Sequence, residues 1–193
     1  MAGRPINQQR RDELLDAVVG YAVEHSFAEL TWRPLATALG VTPTTLVHRF
    51  GSKEQMIEAV QTRLRERILT ETAPPADEEL DLPAYVRRVW DRVADPVRAG
   101  EFRLFFAVYG QALQAPESFD DFLSHVIADP VRAFAAVRGR QSVQQATCQA
   151  TLVIAVLRGL LLDLLTTDDR DRVTGALEAF VAGLEDGGPG LQA

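Results

Sequence analysis

An all-α fold is predicted by three observations on this sequence. Apolar residues recur at the 3.6-residue helical period along almost the whole chain. The junctions between those segments carry capping residues, Pro and Gly in the order that starts and stops helices. No period-two strand pattern, internal repeat or low-complexity stretch competes with them. About nine helices are expected, in a small N-terminal part and a larger C-terminal one.

Each element has its own justification. Leu14, Leu15, Val18, Ala22 and Val23 give a first helix from about Gln9 to His25. Thr31 is the expected N-cap of a short helix through Leu39, with Pro34 tolerated in its first turn. Gly40 ends that helix at the C′ position. Thr42 caps the next, which opens on Pro43 and runs to about Phe50. Ser52 starts a fourth helix through a capping box with Gln55. Met56, Ile57, Val60, Leu64 and Ile68 carry its apolar stripe to about Thr72. Pro74 and Pro75 stop it, and the acidic run to Asp81 reads as a linker. Further helices are expected near 83–93, 101–114, 118–137, 143–166 and 172–185, with Asp129-Pro130 breaking or kinking the third. Ser142 with Gln145 repeats the capping-box pattern, and Gly187-Gly188 ends the last helix.

The bulk composition is that of a soluble globular protein, with 47% hydrophobic and 24% charged residues. A net charge of -7 excludes a generally basic surface, so any nucleic-acid site must be local. Through Leu69 the chain has nine Lys and Arg against eight Asp and Glu; the remainder has eleven against nineteen. A near-neutral first third and an acidic remainder suggest different partners. The single cysteine, Cys148, allows no internal disulfide and points to a reducing compartment. The opening MAGRPINQQRR has no apolar core of a secretory signal. The most apolar run, Ala150 to Leu165, is interrupted by Arg158 and Asp163 and reads as too short and too charged for a membrane span. A cytoplasmic protein with no membrane partner is expected.

A short helix, a Gly-centred turn and a second short helix make a helix-turn-helix, whose second helix can enter the major groove. Leu35, Ala36, Leu39, Val41, Leu46 and Phe50 can pack inward, which leaves Thr44, Thr45, His48 and Arg49 facing outward. A helix N-terminus offers free N–H groups to phosphate, and Lys53 stands beside such an end. Gly3-Arg4-Pro5 could serve as a basic arm toward the minor groove.

The stretch LTWRPLATALGVTPTTLVHRFGSKEQMIEAV resembles the DNA-binding domain of the tetracycline-repressor (TetR) family of transcription regulators. Ala36, Gly40, Val41, Leu46, Phe50, Lys53 and Glu54 stand at matching places, and the likeness covers roughly Arg11 to Thr70. The resemblance implies a three-helix DNA-binding domain over 1–52, with the helix over 53–72 connecting it to a ligand-binding and dimerisation domain over 53–193. It makes Arg33 a candidate for a bidentate guanine contact. Pro43, Thr44 and His48 fall where the family reads bases, and Thr42, Thr45, Arg49 and Lys53 where it holds phosphates. The family usually has Tyr where this chain has Val47. A phenolic phosphate contact is therefore missing, and a thymine-methyl contact or simple packing takes its place.

The remainder is rich in aromatic side chains at helical spacing, more often core than pocket. The resemblance implies a small-molecule pocket here, for which Trp90, Phe105, Tyr109, Phe122 and Leu152 are candidate lining. His125, Gln149 and Arg158 are candidate polar anchors; His125 could equally face solvent, and Arg158 could pair with Asp163 or a partner subunit. The helix over 143–166 is apolar around most of its circumference, so it needs more than one buried face. With the stripe of Val173, Leu177, Phe180, Val181 and Leu184, it fits a homodimeric four-helix bundle of the last two helices, as the family commonly forms.

Catalysis is not indicated. His25, His48 and His125 are scattered, and no HExxH, CxxC, GxSxG or glycine-rich phosphate loop is present. Asp120-Asp121 and Asp168-Asp169 read as helix-terminal charges rather than metal ligands. No cofactor is expected. The resulting expectation is a dimeric regulator, most simply a repressor, released from an inverted-repeat DNA operator by a small, largely apolar ligand. The alternative is a helical small-molecule or partner-binding module that does not read DNA.

Overall fold

The computed structural model describes residues 3–25, 30–73, 81–137 and 142–185. Among them there are ten α-helices: α1 (Gly3–His25), α2 (Trp32–Leu39), α3 (Pro43–Phe50), α4 (Lys53–Thr72), α5 (Leu82–Val93), α6 (Ala99–Gln114), α7 (Asp120–Val126), α8 (Ala128–Ala136), α9 (Val143–Thr167) and α10 (Arg170–Glu185). Short 3-10 turns precede α6 and α7, at Pro96–Arg98 and Pro116–Ser118. No strand occurs among the described residues, as the missing period-two pattern predicts. The chain forms two compact units, one from Met1–Ile68 with Gly100–Leu123, the other from Leu69–Ala99 with Ser124–Ala193.

In the first unit α2 packs on both α1 and α3. Its core draws Val18, Val19 and Ala22 from α1, Leu35 and Ala36 from α2, Leu46 and Phe50 from α3, and Met56, Val60 and Leu64 from α4. Burying each of the larger side chains is worth about 2 kcal/mol, which is what holds eight-residue helices that would not persist alone. Asp16 fixes α4 against α1: it forms an ion pair with Arg63 at 2.9 Å and accepts from Arg67 at 2.8 Å, and Arg67 also reaches Glu101 at 3.4 Å.

In the second unit α8 lies against α9, and α10 packs on both α5 and α9. Asp81 caps α5, its carboxylate accepting from the Ala84 N–H at 2.8 Å. The Tyr85 ring meets Phe134 at 4.7 Å between centroids. Ser142 and Gln145 form the expected capping box at the start of α9. That helix buries Ala146, Ala150, Val153, Ile154, Leu157, Leu161 and Leu164 on its inner face. At 25 residues α9 is long and apolar enough to cross a membrane by length and composition, beyond what the run over 150–165 suggested. The turn into α10 uses Asp168 in the left-handed region, φ 56°, a conformation that Asp tolerates better than most residues. Asp169 then accepts from the Arg172 N–H at 3.2 Å. Both acids serve helix ends, as expected.

Gly3, Arg4 and Pro5 are helical, forming the first turn of α1. Two expectations need correction. Thr31 has the extended backbone of an N-cap but makes no side-chain capping bond. The helix expected over 118–137 divides at Ile127, ahead of Asp129-Pro130. The reason is local: with α8 starting at Ala128, Pro130 falls in its first turn, where the missing N–H costs nothing. Most of the expected linker over 74–81, and Gly187-Gly188, lie outside the described residues.

Candidate DNA-binding surface and ligand-domain residues

The geometry of α3 is set by its two ends. Gly40 has φ 65°, and the N–H groups of Gly40 and Val41 bond the carbonyls of Thr37 and Ala36 at 3.3 and 3.0 Å. This paired pattern closes α2 and turns the chain sharply. Thr42 then caps α3, its hydroxyl accepting from the Thr45 N–H at 3.1 Å and lying 2.9 Å from the Thr45 hydroxyl. Pro43 occupies the first turn, as expected. At the far end Gly51 has φ 79°, and the Gln55 Oε1 sits 2.0 Å from where a Cβ would stand. The Ser52–Gln55 capping box is complete, with bonds of 2.9 and 3.2 Å, and restarts the chain as α4.

Between these corners Leu46 and Phe50 are buried, whereas Pro43, Thr44, Thr45 and His48 are exposed and Arg49 is half-buried. Val47 is 44% exposed, so it stands outward rather than packed inside. Arg33 is exposed in the first turn of α2, and Lys53 begins α4. Neither takes part in an ion pair among the described residues, so both cations are available to an incoming anion. Glu54, next to Lys53, is held below the ordinary carboxylate range, first by a backbone N–H and then by the Ser52 hydroxyl. All nine candidate DNA-contacting residues thus lie on α2, α3, their joining turns or the start of α4.

The candidate ligand residues are more scattered. In the first unit Phe105, Tyr109 and Phe122 come together, with ring centroids 6.1 Å apart in each pair. In the second unit Trp90 is buried on α5. The His125 Nδ1 lies 2.9 Å from the Ser124 hydroxyl. Arg158 donates to the Val126 carbonyl. Asp163 accepts from Arg172 at 2.7 and 2.9 Å, which lowers its pKa. Gln149 is buried with its Oε1 unpartnered, and Leu152 is 42% exposed on the outer face of α9. Sequence reading passed over Gln61, whose amide is buried to 5% exposure within the apolar stripe of α4. The signal was its place four residues after Ile57 and three before Leu64, on the same helical face.

Residues 14–60 match the family described as bacterial regulatory proteins, tetR family. That match makes this stretch similar to the N-terminal part of that family. Beyond that stretch the helical fold is shared with solved proteins. A transcriptional regulator from Rhodococcus sp. Rha1 superposes with a TM-score of 0.76 at 20% identity, covering 92% of this chain and 96% of that one. A TetR transcriptional regulator from Legionella pneumophila gives 0.68 at 14% identity, over 89% and 94%. The multidrug binding protein EbrR, solved in complex with imidazole, gives 0.65 at 22% identity, over 89% of each chain. No curated protein sequence matches significantly.

Proposed function

We propose that this chain is a dimeric, ligand-responsive transcriptional repressor that reads an inverted-repeat DNA operator. The observation that carries the reading is α3: eight residues, buried through Leu46 and Phe50, that present Thr44, Val47 and His48 outward between two fixed turns. Thr44 and His48 read base edges, and the Val47 methyls suit a thymine methyl. Arg33 takes a guanine. Thr42, Thr45, Arg49 and Lys53 hold the phosphates that set register. One such helix reads too few base pairs for useful specificity, so two copies act together.

The outward faces of the last two helices support a dimer. Thr151, Leu152, Ala155, Gly159, Leu162 and Thr166 form an exposed, mostly small or apolar row on α9, and Gly175, Ala176, Ala179 and Ala182 are exposed on α10. Covering those rows with a second copy gives the four-helix interface. Small-molecule response rests on the helical remainder and on the likeness to EbrR, which binds imidazole in its own structure. The ligand acts by favouring the dimer whose reading helices are wrongly spaced for successive grooves.

Selection of bound duplexes from a random pool, with the full chain, tests the reading. Enrichment of one inverted repeat, with binding that falls steeply as salt rises, is expected. No enriched sequence would overturn it. Unchanged DNA affinity in the Arg33→Ala, Lys53→Ala double variant would favour the non-DNA-reading module.

A further inference from the structure

In the first unit a cavity of about 210 Å³ lies between the middle of α4 and the start of α7. Its walls include Glu58, Gln61 and Arg65 from α4, Glu117 from the turn before α7, and Asp120 and Phe122 from the start of α7. Two independent features point to an occupant. The Gln61 side chain is 95% removed from solvent by its 5% exposure, forms part of the wall, and has an Nε2 with no hydrogen-bond partner. A buried amide donor left unmade is costly and calls for an acceptor. The charge is also lopsided. Arg65 is opposed by Asp121 at 3.7 Å, while Glu58, Glu117 and Asp120 form no ion pair among the described residues. Three carboxylates around one small cavity raise the local concentration of cations.

We propose that this cavity binds a small organic amine that also carries an oxygen acceptor. The ammonium sits at the mouth against Glu58, Glu117 and Asp120, whose exposed positions leave them wet. The apolar part lies along the Phe122 ring, where ring–cation and ring–ring contacts are both available. The oxygen reaches the floor and accepts from Gln61 Nε2. The volume admits a single-ring compound and is small beside the pockets that hold drug-sized ligands. This site names a ligand class for the regulator proposed above; its consequence for DNA rests on that reading, whereas binding itself does not.

The test uses three isosteres on the full-length chain by titration calorimetry: tyramine, the neutral tyrosol and the anionic 4-hydroxyphenylacetate. Tyramine is expected to bind about tenfold more tightly than tyrosol, since the charge interaction is added to otherwise equal contacts, and the anion not measurably. Glu117→Gln should reduce the preference for tyramine over tyrosol. Gln61→Leu keeps the side-chain bulk and fills the buried position with an apolar group, so folding is preserved. It should weaken tyramine but leave phenethylamine, which lacks the hydroxyl, unaffected. No binding of millimolar tyramine, or equal binding of all three isosteres, would overturn the site. Tyramine binding that leaves operator affinity unchanged would uphold the site and sever it from regulation.

Discussion

The Tyr85 hydroxyl donates a 2.5 Å hydrogen bond to the backbone carbonyl of Thr72, the last residue of α4. It satisfies a carbonyl that a helix end leaves without an intrahelical partner. Burial pushes the Tyr85 pKa up to about 12, with Arg92 and Arg88 pulling the other way. Tyr85→Phe keeps the ring against Phe134 and removes only the hydroxyl, so a loss of about 1 kcal/mol of stability is expected. The raised pKa stabilises the fold fully below the ordinary value of 10 and is lost as pH rises through about 12. Urea unfolding on either side of pH 10 should show an alkaline loss in the parent that shrinks in Tyr85→Phe.

Gly40→Ala places a Cβ on a backbone at φ 65° with nothing within 4 Å, so only conformational strain opposes it. The expected cost is about 1 kcal/mol, with Asn costing less because it visits this region more readily. Thermal unfolding of the two variants would show the order Gly, Asn, Ala.

Asp163 owes its lowered pKa first to the Arg172 guanidinium, which bonds both carboxylate oxygens. A depressed carboxylate stabilises the fold above its ordinary 3.8 and loses that contribution as pH falls through the folded value. Asp163→Asn should therefore lower stability at neutral pH and flatten the acid limb of the stability curve. Parallel slopes for parent and variant below that pH would contradict the assignment.

Arg33→Ala should cost about 1–3 kcal/mol on the selected operator and relax sequence preference at one base pair. Lys53→Ala should weaken all sequences alike and shallow the salt dependence by about one ion. Competition binding against single-base operator variants separates the two effects.

Leu152→Glu with Leu162→Glu places two charges on positions that are 42% and 50% exposed in the single chain. The chain itself should tolerate them, whereas a bundle formed on that face should not. Sedimentation is expected to give half the parent mass, and operator binding should fall with it. Unchanged mass would remove the proposed dimer face.

Much of this was legible because helix ends are chemically marked. Thr42-Pro43, the Ser52–Gln55 box and the Ser142–Gln145 box each name a start, and each is present as expected. Such signals act within four residues. Signals that depend on tertiary contact were not legible. Thr31 and Thr42 look alike in sequence, yet only Thr42 makes the capping bond. Arg158 had an obvious partner five residues away in Asp163, but Arg172, from the next helix, holds that carboxylate. Gln61 was hidden because a polar residue in an apolar stripe reads as noise until its partners are known.

The two positive-φ corners at Gly40 and Gly51 bear on how such a protein could acquire a new target. The entry and exit angles of α3 are stored in backbone at its borders, and its hold on the core in Leu46 and Phe50. Thr44, Val47 and His48 stand exposed between those borders. They form an exchangeable cassette, so that the lettering can be rewritten while the hinge pins stay where they are.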